Sequence, residues 1–210
     1  MGRLGSLVRQ LQDTHIAETA AAIARVTEAP GQVQSWVEAM VGSIQGGGTI
    51  LACGNGGSAA EAQHLVGELV GRFRRERAPI SAIALGSEFP TLSAIANDYD
   101  YGKAFSRQAE ALGRRGDVLV GISTSGNSRS VIEAMRVARA RGVFTVGLTG
   151  KIPGGLRDVS DLLVQASSTE TSTIQEVHLF LIHLVCNVIE TYLFDDQYQA
   201  DRELMRKVVP

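Results

Sequence analysis

The sequence predicts an α/β fold, a three-layer αβα sandwich around a five-stranded parallel sheet with helices ahead of it. Three observations carry the prediction. Short apolar runs alternate with segments of helical periodicity along the 210 residues, the pattern of a parallel sheet covered on both faces. The apolar runs are bounded by glycine and polar turns, as buried strands are. Two of them open through Ser/Gly-rich turns into helices, at Gly54-Asn-Gly-Gly-Ser58 and Ser123-Thr-Ser-Gly-Asn-Ser128. Ligands in such sheets bind beyond the carboxyl ends of the strands, so both turns are candidate sites.

The elements follow in order. Residues 4–45 read as two amphipathic helices broken near Pro30-Gly31, with Leu7, Leu11, Ile16, Ala20 and Ile23 on one stripe. Gly46-Gly-Gly48 stops them. Residues 49–53 form the first strand, and the helix after it runs over 59–72. A second strand is expected over 80–85, then helical segments over 91–97 and 101–112. The third strand, 118–122, precedes a helix over 128–141. The fourth covers 143–148 and the fifth 162–165. A long helix over 172–194 and a polar tail over 195–210 close the chain. The expected organisation is N-terminal helices over 1–45, one α/β domain over 46–194, and the tail.

Composition narrows the function classes. A net charge of −2 gives no electrostatic case for nucleic acid. The two cysteines, Cys53 and Cys186, lie in apolar runs, which suits a reducing cytoplasm better than a disulfide framework. The N-terminus does not have the pattern of a cleaved leader. No stretch reads as a membrane span, because the longest apolar one, 177–192, contains His178, His183 and Glu190.

The turn at 123–128 carries the most chemistry. Ser123, Thr124, Ser125 and Ser128 surround a strand-to-helix turn, where backbone N–H groups and the helix dipole favour an anion. The turn contains no lysine and is not a Walker loop, so it points to a sugar phosphate rather than a nucleoside triphosphate. The same sequence could be a plain helix cap. Asn97-Asp98 could simply end a helix.

Three of the four histidines fall in two helices. His64 and Glu68, four apart, share a face, as a surface pair or as part of a site. Gln175, His178 and His183 lie in the long C-terminal helix, and His178 reads as a packing or hydrogen-bonding residue rather than a ligand. A carboxylate and an imidazole that converge can act as an acid/base pair or hold a divalent metal. Gln175 and His183 are separated by a helical rise of about 12 Å. Either Gln175 precedes the regular helix, or facing subunits complete the site.

The segments Cys53-Gly-Asn-Gly-Gly-Ser-Ala-Ala-Glu-Ala-Gln-His64, Ile95-Ala-Asn-Asp98, 116–128 and Ile174-Gln-Glu-Val-His178 resemble the phosphoheptose isomerases, enzymes of the sugar-isomerase (SIS) domain. The resemblance runs from about residue 44 to 194. It implies a flavodoxin-like SIS fold and conversion of sedoheptulose 7-phosphate to D-glycero-D-manno-heptose 7-phosphate through an enediol. It implies Glu68 and His183 as the acid/base pair, and one zinc ion per subunit on His64, Glu68, Gln175 and His183. Substrate contacts are implied for Asn55, Gly56, Gly57, Ser58, Glu61, Asn97, Asp98, Ser123, Thr124, Ser125, Ser128 and Gln175. Arg72 is implied near the site across a subunit boundary, in a homotetramer with interface active sites.

This chain departs from the family's pattern in places. Glu61 stands where many members have Asp, and Gly86-Ser-Glu-Phe-Pro90 replaces a Thr-rich loop. Thr173 replaces a basic residue, and the tail is longer. The rival readings are a non-catalytic SIS-domain scaffold for a replication initiator or other protein, and an isomerase of a different ketose phosphate. A scaffold has no chemical need for Glu68 or His183.

Overall fold

The computed structural model describes residues 2–27, 30–198 and 200. Five strands pair in parallel in the order β2-β1-β3-β4-β5. They are β1 (Ile50–Gly54), β2 (Ala82–Ala84), β3 (Val118–Ile122), β4 (Phe144–Thr149) and β5 (Leu162–Gln165). This is the flavodoxin-like order, with its switch point between β1 and β3. Those two strands carry the two Ser/Gly turns. Their register pairs Cys53 with Gly121 and Gly54 with Ile122, so both turns leave the sheet at one level.

The strands alternate their side chains between two cores, as the period of two requires. Ile50, Ala52, Val118 and Val120 pack with α2 (Pro30–Gln45), α3 (Gly57–Val70) and α7 (Thr171–Phe194). Leu51, Cys53 and Leu119 pack with α5 (Ser106–Leu112) and α6 (Arg129–Ala140) on the other face. The three expected layers are present. A further helix, α4 (Phe89–Asp98), precedes α5, and α1 (Arg3–Thr27) runs against α7.

Only one end of α1 joins the core, through Ala22 and Val26 with Ile23 against them. Leu4, Leu7, Val8, Leu11 and Ile16 are exposed. The apolar stripe read from the sequence is therefore covered only at one end within a single chain.

Several boundaries differ from the sequence expectation. β2 is only three residues long, an edge strand held by β1 alone. The expected helix over 101–112 is split. The Asp100 carboxylate accepts the Gly102 N–H at 2.6 Å and winds Tyr101–Lys103 into a separate 3-10 turn. Contrary to expectation, α7 is long and apolar enough by length and composition to cross a membrane, with a mean hydropathy of 1.6 over its most apolar window. Here it is the central helix of one core, packed against α1, α2 and α3. Most of the tail, residues 199 and 201–210, lies outside the described residues.

Candidate active site

α3 and α7 bring His64, Glu68 and His183 together. His64 and Glu68 lie one turn apart on α3, and His183 faces them from α7. The Nε2 atoms of the two histidines are 2.8 Å apart, and His64 Nε2 lies 3.3 Å from Glu68 Oε1. One ligand atom from each residue falls within 4.8 Å of the others. The two rings meet edge to face, and Phe73 flanks His183 with its ring centroid 5.8 Å away. All three polar residues are half-buried.

Two imidazole nitrogens this close cannot both present a lone pair to empty space. They must share a proton or a cation. Two nitrogens and a carboxylate oxygen are the donor set of a borderline ion such as zinc. A tetrahedral zinc would hold its nitrogens about 3.3 Å apart, so the rings need to part by only about half an ångström. The residues present fit a metal.

The turn after β1 forms a second cluster. α3 begins at Gly57, two residues earlier than expected, with Gly56 as its N-cap. A Cβ on Gly57 would collide with the Gln175 side-chain amide, so glycine is needed for α7 to lay that amide on the turn. Ser58 is buried behind it. The Asn55 side chain donates to Ser130 Oγ at 3.1 Å and accepts from the Tyr101 hydroxyl at 2.7 Å.

The turn after β3 lies alongside. Ser123 is buried, and its hydroxyl donates to Ser128 Oγ at 3.0 Å and lies 3.4 Å from Ser125 Oγ. Ser128 precedes α6 without using its side chain as a cap, which leaves the hydroxyl free of that task. Gly126 has φ +65°, and a Cβ there would strike the Pro153 carbonyl, so the hairpin-tight turn requires glycine. Thr124 and Ser125 line a cleft of about 260 Å³ together with Asn127, Lys151, Ser168 and Thr169. The larger cleft, about 860 Å³ beside Gly48, Asp117 and Phe144, opens at the opposite ends of the strands.

Within one chain the two regions are far apart. Glu68 follows Gly57 by eleven residues of α3, a rise of about 16 Å. Gln175 is inside the regular helix, since α7 begins at Thr171. The first of the two alternatives for Gln175 is therefore excluded.

A family model, the SIS domain, matches residues 12–150. A phosphoheptose isomerase of Roseiflexus sp. is 51% identical over 170 residues, 81% of this chain and 86% of that relative. The structure of the phosphoheptose isomerase of Neisseria gonorrhoeae is similar with TM-score 0.83 and 39% identity, covering 88% of this chain and 99% of that one. That of Francisella tularensis gives TM-score 0.82 and 31% identity, covering 91% and 100%. The chain belongs to the phosphoheptose isomerase family, within the SIS domain.

The remaining positions implied by the phosphoheptose isomerase resemblance are dispersed in the single chain. Asn97 and Asp98 end α4, are exposed, and bond to each other at 3.0 Å. Arg72 is mostly exposed just past α3, 3.8 Å from Glu76. Glu61 is buried with its carboxylate 3.6 Å from His178 Nδ1, and neither of its oxygens has a hydrogen-bond partner. His178, read as a packing or hydrogen-bonding residue, is fully buried, and its Nε2 lies 3.2 Å from the Thr149 carbonyl. That contact needs the proton on Nε2, which leaves Nδ1 to face Glu61.

Sequence reasoning missed two residues near this candidate site. Tyr101 anchors Asn55 from 46 residues away, which no local pattern announces. Lys151 follows the carboxyl end of β4, and the strand-end rule that selected the serine turns would have selected it too.

Proposed function

We infer that this chain interconverts sedoheptulose 7-phosphate and D-glycero-D-manno-heptose 7-phosphate, an aldose–ketose isomerisation through an enediol. The convergence of Glu68 and His183 from two helices carries the reading. A 1,2-isomerisation must move one proton between carbons and another between oxygens. Glu68 takes the proton from C1 of the ketose and returns it to C2. His183 gives a proton to the C2 oxygen and receives one from the C1 hydroxyl, so the charges balance at each step. Thr124, Ser125 and Ser128, with the buried Ser123 behind them, hold the phosphate. Asn55, Gly56, Gly57, Ser58, Glu61, Asn97, Asp98 and Gln175 bind and orient the sugar.

His64, Glu68 and His183 would hold one zinc ion per subunit, with the Gln175 amide of a facing subunit as a further ligand. Such an ion would supply Lewis acidity toward the substrate carbonyl. The rise of about 16 Å along α3 supports a shared site. One subunit contributes the acid/base pair, and a neighbour contributes the serine turn and Arg72. The exposed stripe Leu4, Leu7, Leu11 and Ile16 suits burial between copies. A homotetramer is the assembly the resemblance implies. Two free, buried cysteines suit the cytoplasm.

The test is to incubate the purified chain with sedoheptulose 7-phosphate in deuterium oxide. Deuterium at C2 of the aldose is expected. Absence of both conversion and exchange overturns the reading and returns the scaffold alternative.

A further inference from the structure

Beyond the acid/base cluster, a second polar connection joins α3 to α7. The Arg77 guanidinium and the Glu190 carboxylate are both almost fully buried, with Nε and Oε2 3.1 Å apart. Glu190 lies seven residues after His183, two turns along the same face of α7. Its two oxygens also accept the backbone N–H groups of Phe73, Arg74 and Arg75 at 3.0, 2.8 and 2.7 Å. The carboxylate therefore holds the whole segment that leaves α3.

Arg77 spends its remaining donors on carbonyls at the end of α3 and beyond it. Nη2 donates to the Glu68 carbonyl at 2.7 Å, and Nη1 donates to the Leu69 carbonyl at 2.8 Å and the Ala78 carbonyl at 3.0 Å. Carbonyls in the last turn of a helix have no partner within the helix. A cation there also matches the helix dipole. The residue whose carbonyl is capped, Glu68, is the one whose side chain meets His183.

We propose that Arg77 and Glu190 are positioning residues: the pair ties the last turn of α3 to α7 and so fixes Glu68 and His64 against His183. Stability alone does not account for a buried ion pair here, since apolar side chains of similar size serve a core as well or better. Geometry does account for it. A planar guanidinium reaches one carboxylate and several carbonyls at fixed angles, which an ammonium does not. The same segment brings the Phe73 ring against His183, so the imidazole is braced from a second side.

The proposal rests on the isomerase reading only where turnover is measured. The experiment compares the full chain with Arg77→Lys, Glu190→Gln and, as a control, Arg75→Ala, which removes only the outlying bridge to Asp195. Three readouts are taken on protein whose folding is checked by circular dichroism. They are the ring-nitrogen NMR shifts of His64 and His183 in the metal-free chain, the affinity for cobalt(II), and kcat and KM. The expected result for both test variants is altered His64 and His183 shifts, a cobalt dissociation constant raised about tenfold or more, and kcat lowered about tenfold or more with KM within threefold. Arg75→Ala stays within twofold of the parent. Folded Arg77→Lys or Glu190→Gln protein with unchanged ring shifts and cobalt affinity overturns the proposal. So does a loss seen equally in Arg75→Ala. Should the parent bind cobalt and fail to turn over the sugar, the isomerase reading falls while the shifts and the metal affinity still decide this one.

Discussion

His64 and His183, 119 residues apart in the chain, place their Nε2 atoms 2.8 Å from each other. That contact, with Glu68, gives a group whose ligand atoms lie close enough together to hold a metal ion. The chain is expected to bind one equivalent of zinc or cobalt(II). Replacing His64 by Ala should weaken binding by more than about 100-fold, since even residues behind a ligand are worth 10- to 100-fold. Titration calorimetry or cobalt absorption measures this. Undiminished stoichiometric binding by His64→Ala would place the metal elsewhere.

Glu68 sits on the α3 face opposite His183 with one oxygen toward His64. Glu68→Gln keeps the shape and removes the base. Its kcat should fall by about 10²- to 10⁴-fold, the range a positioned base contributes, with sugar-phosphate binding retained. Product formation followed by NMR, beside binding by calorimetry, separates the two. Rates like those of the parent remove Glu68 from the proton path.

The cleft by the serine turn contains both hydroxyls and a lysine. Ser125→Ala and Lys151→Ala should each weaken sugar-phosphate affinity, by about tenfold for the lysine, as expected for a charged hydrogen bond. Neither should change metal binding. Inorganic phosphate as a competitor gives the same ranking if the loss is at the phosphoryl end.

Much of this site was legible before the structure, for a local reason. The two Ser/Gly turns and the His64/Glu68 pair are contiguous in sequence, and strand alternation gives the sheet that presents them. That the paired turns flank the switch point needs the strand order, which places β1 beside β3. What stayed hidden depends on distant partners. Glu190 reads as a flaw in an apolar helix until Arg77 and three backbone N–H groups meet it. Glu61 reads only as a substrate contact, and nothing local in the sequence announces that its carboxylate also faces the buried His178. The split of the helix at 101–112 turns on one carboxylate, Asp100, whose effect on the Gly102 N–H leaves no mark in the hydrophobic period.

Both cysteines are buried and free. Burial pushes the Cys53 thiol up to about 12. Burial, helped by the nearby Glu68 carboxylate, does the same to Cys186. Thiolate is the reactive form, so neither should react with an aromatic disulfide reagent at pH 8 in the native chain. Both should react at once in denaturant. Rapid native labelling of Cys186 would mean that α7 opens beside Glu68 and His183.

Acid should weaken the fold through Glu190. Burial pushes its carboxyl up, but the N–H groups of Arg74, Phe73 and Arg75 and the Arg77 guanidinium outweigh this and hold it below the ordinary 4.5. A carboxyl with a depressed folded value stabilises fully above its unfolded value and loses that contribution as pH falls through the folded one. Glu176 titrates in the same direction, held down by the Thr19 hydroxyl and by His15 against burial. Its partners tie α1 to α7 at 2.6 and 2.7 Å, so α1 should loosen in the same acid range. Denaturant melts of the parent should therefore lose stability from about pH 4.5 downward. Glu190→Gln should cost about 3 kcal/mol at pH 7, the lower end for breaking a buried pair, and should show a shallower decline in acid. Parent and variant curves that run parallel from pH 7 to pH 3 would mean that Glu190 keeps its ordinary affinity for a proton in the folded chain.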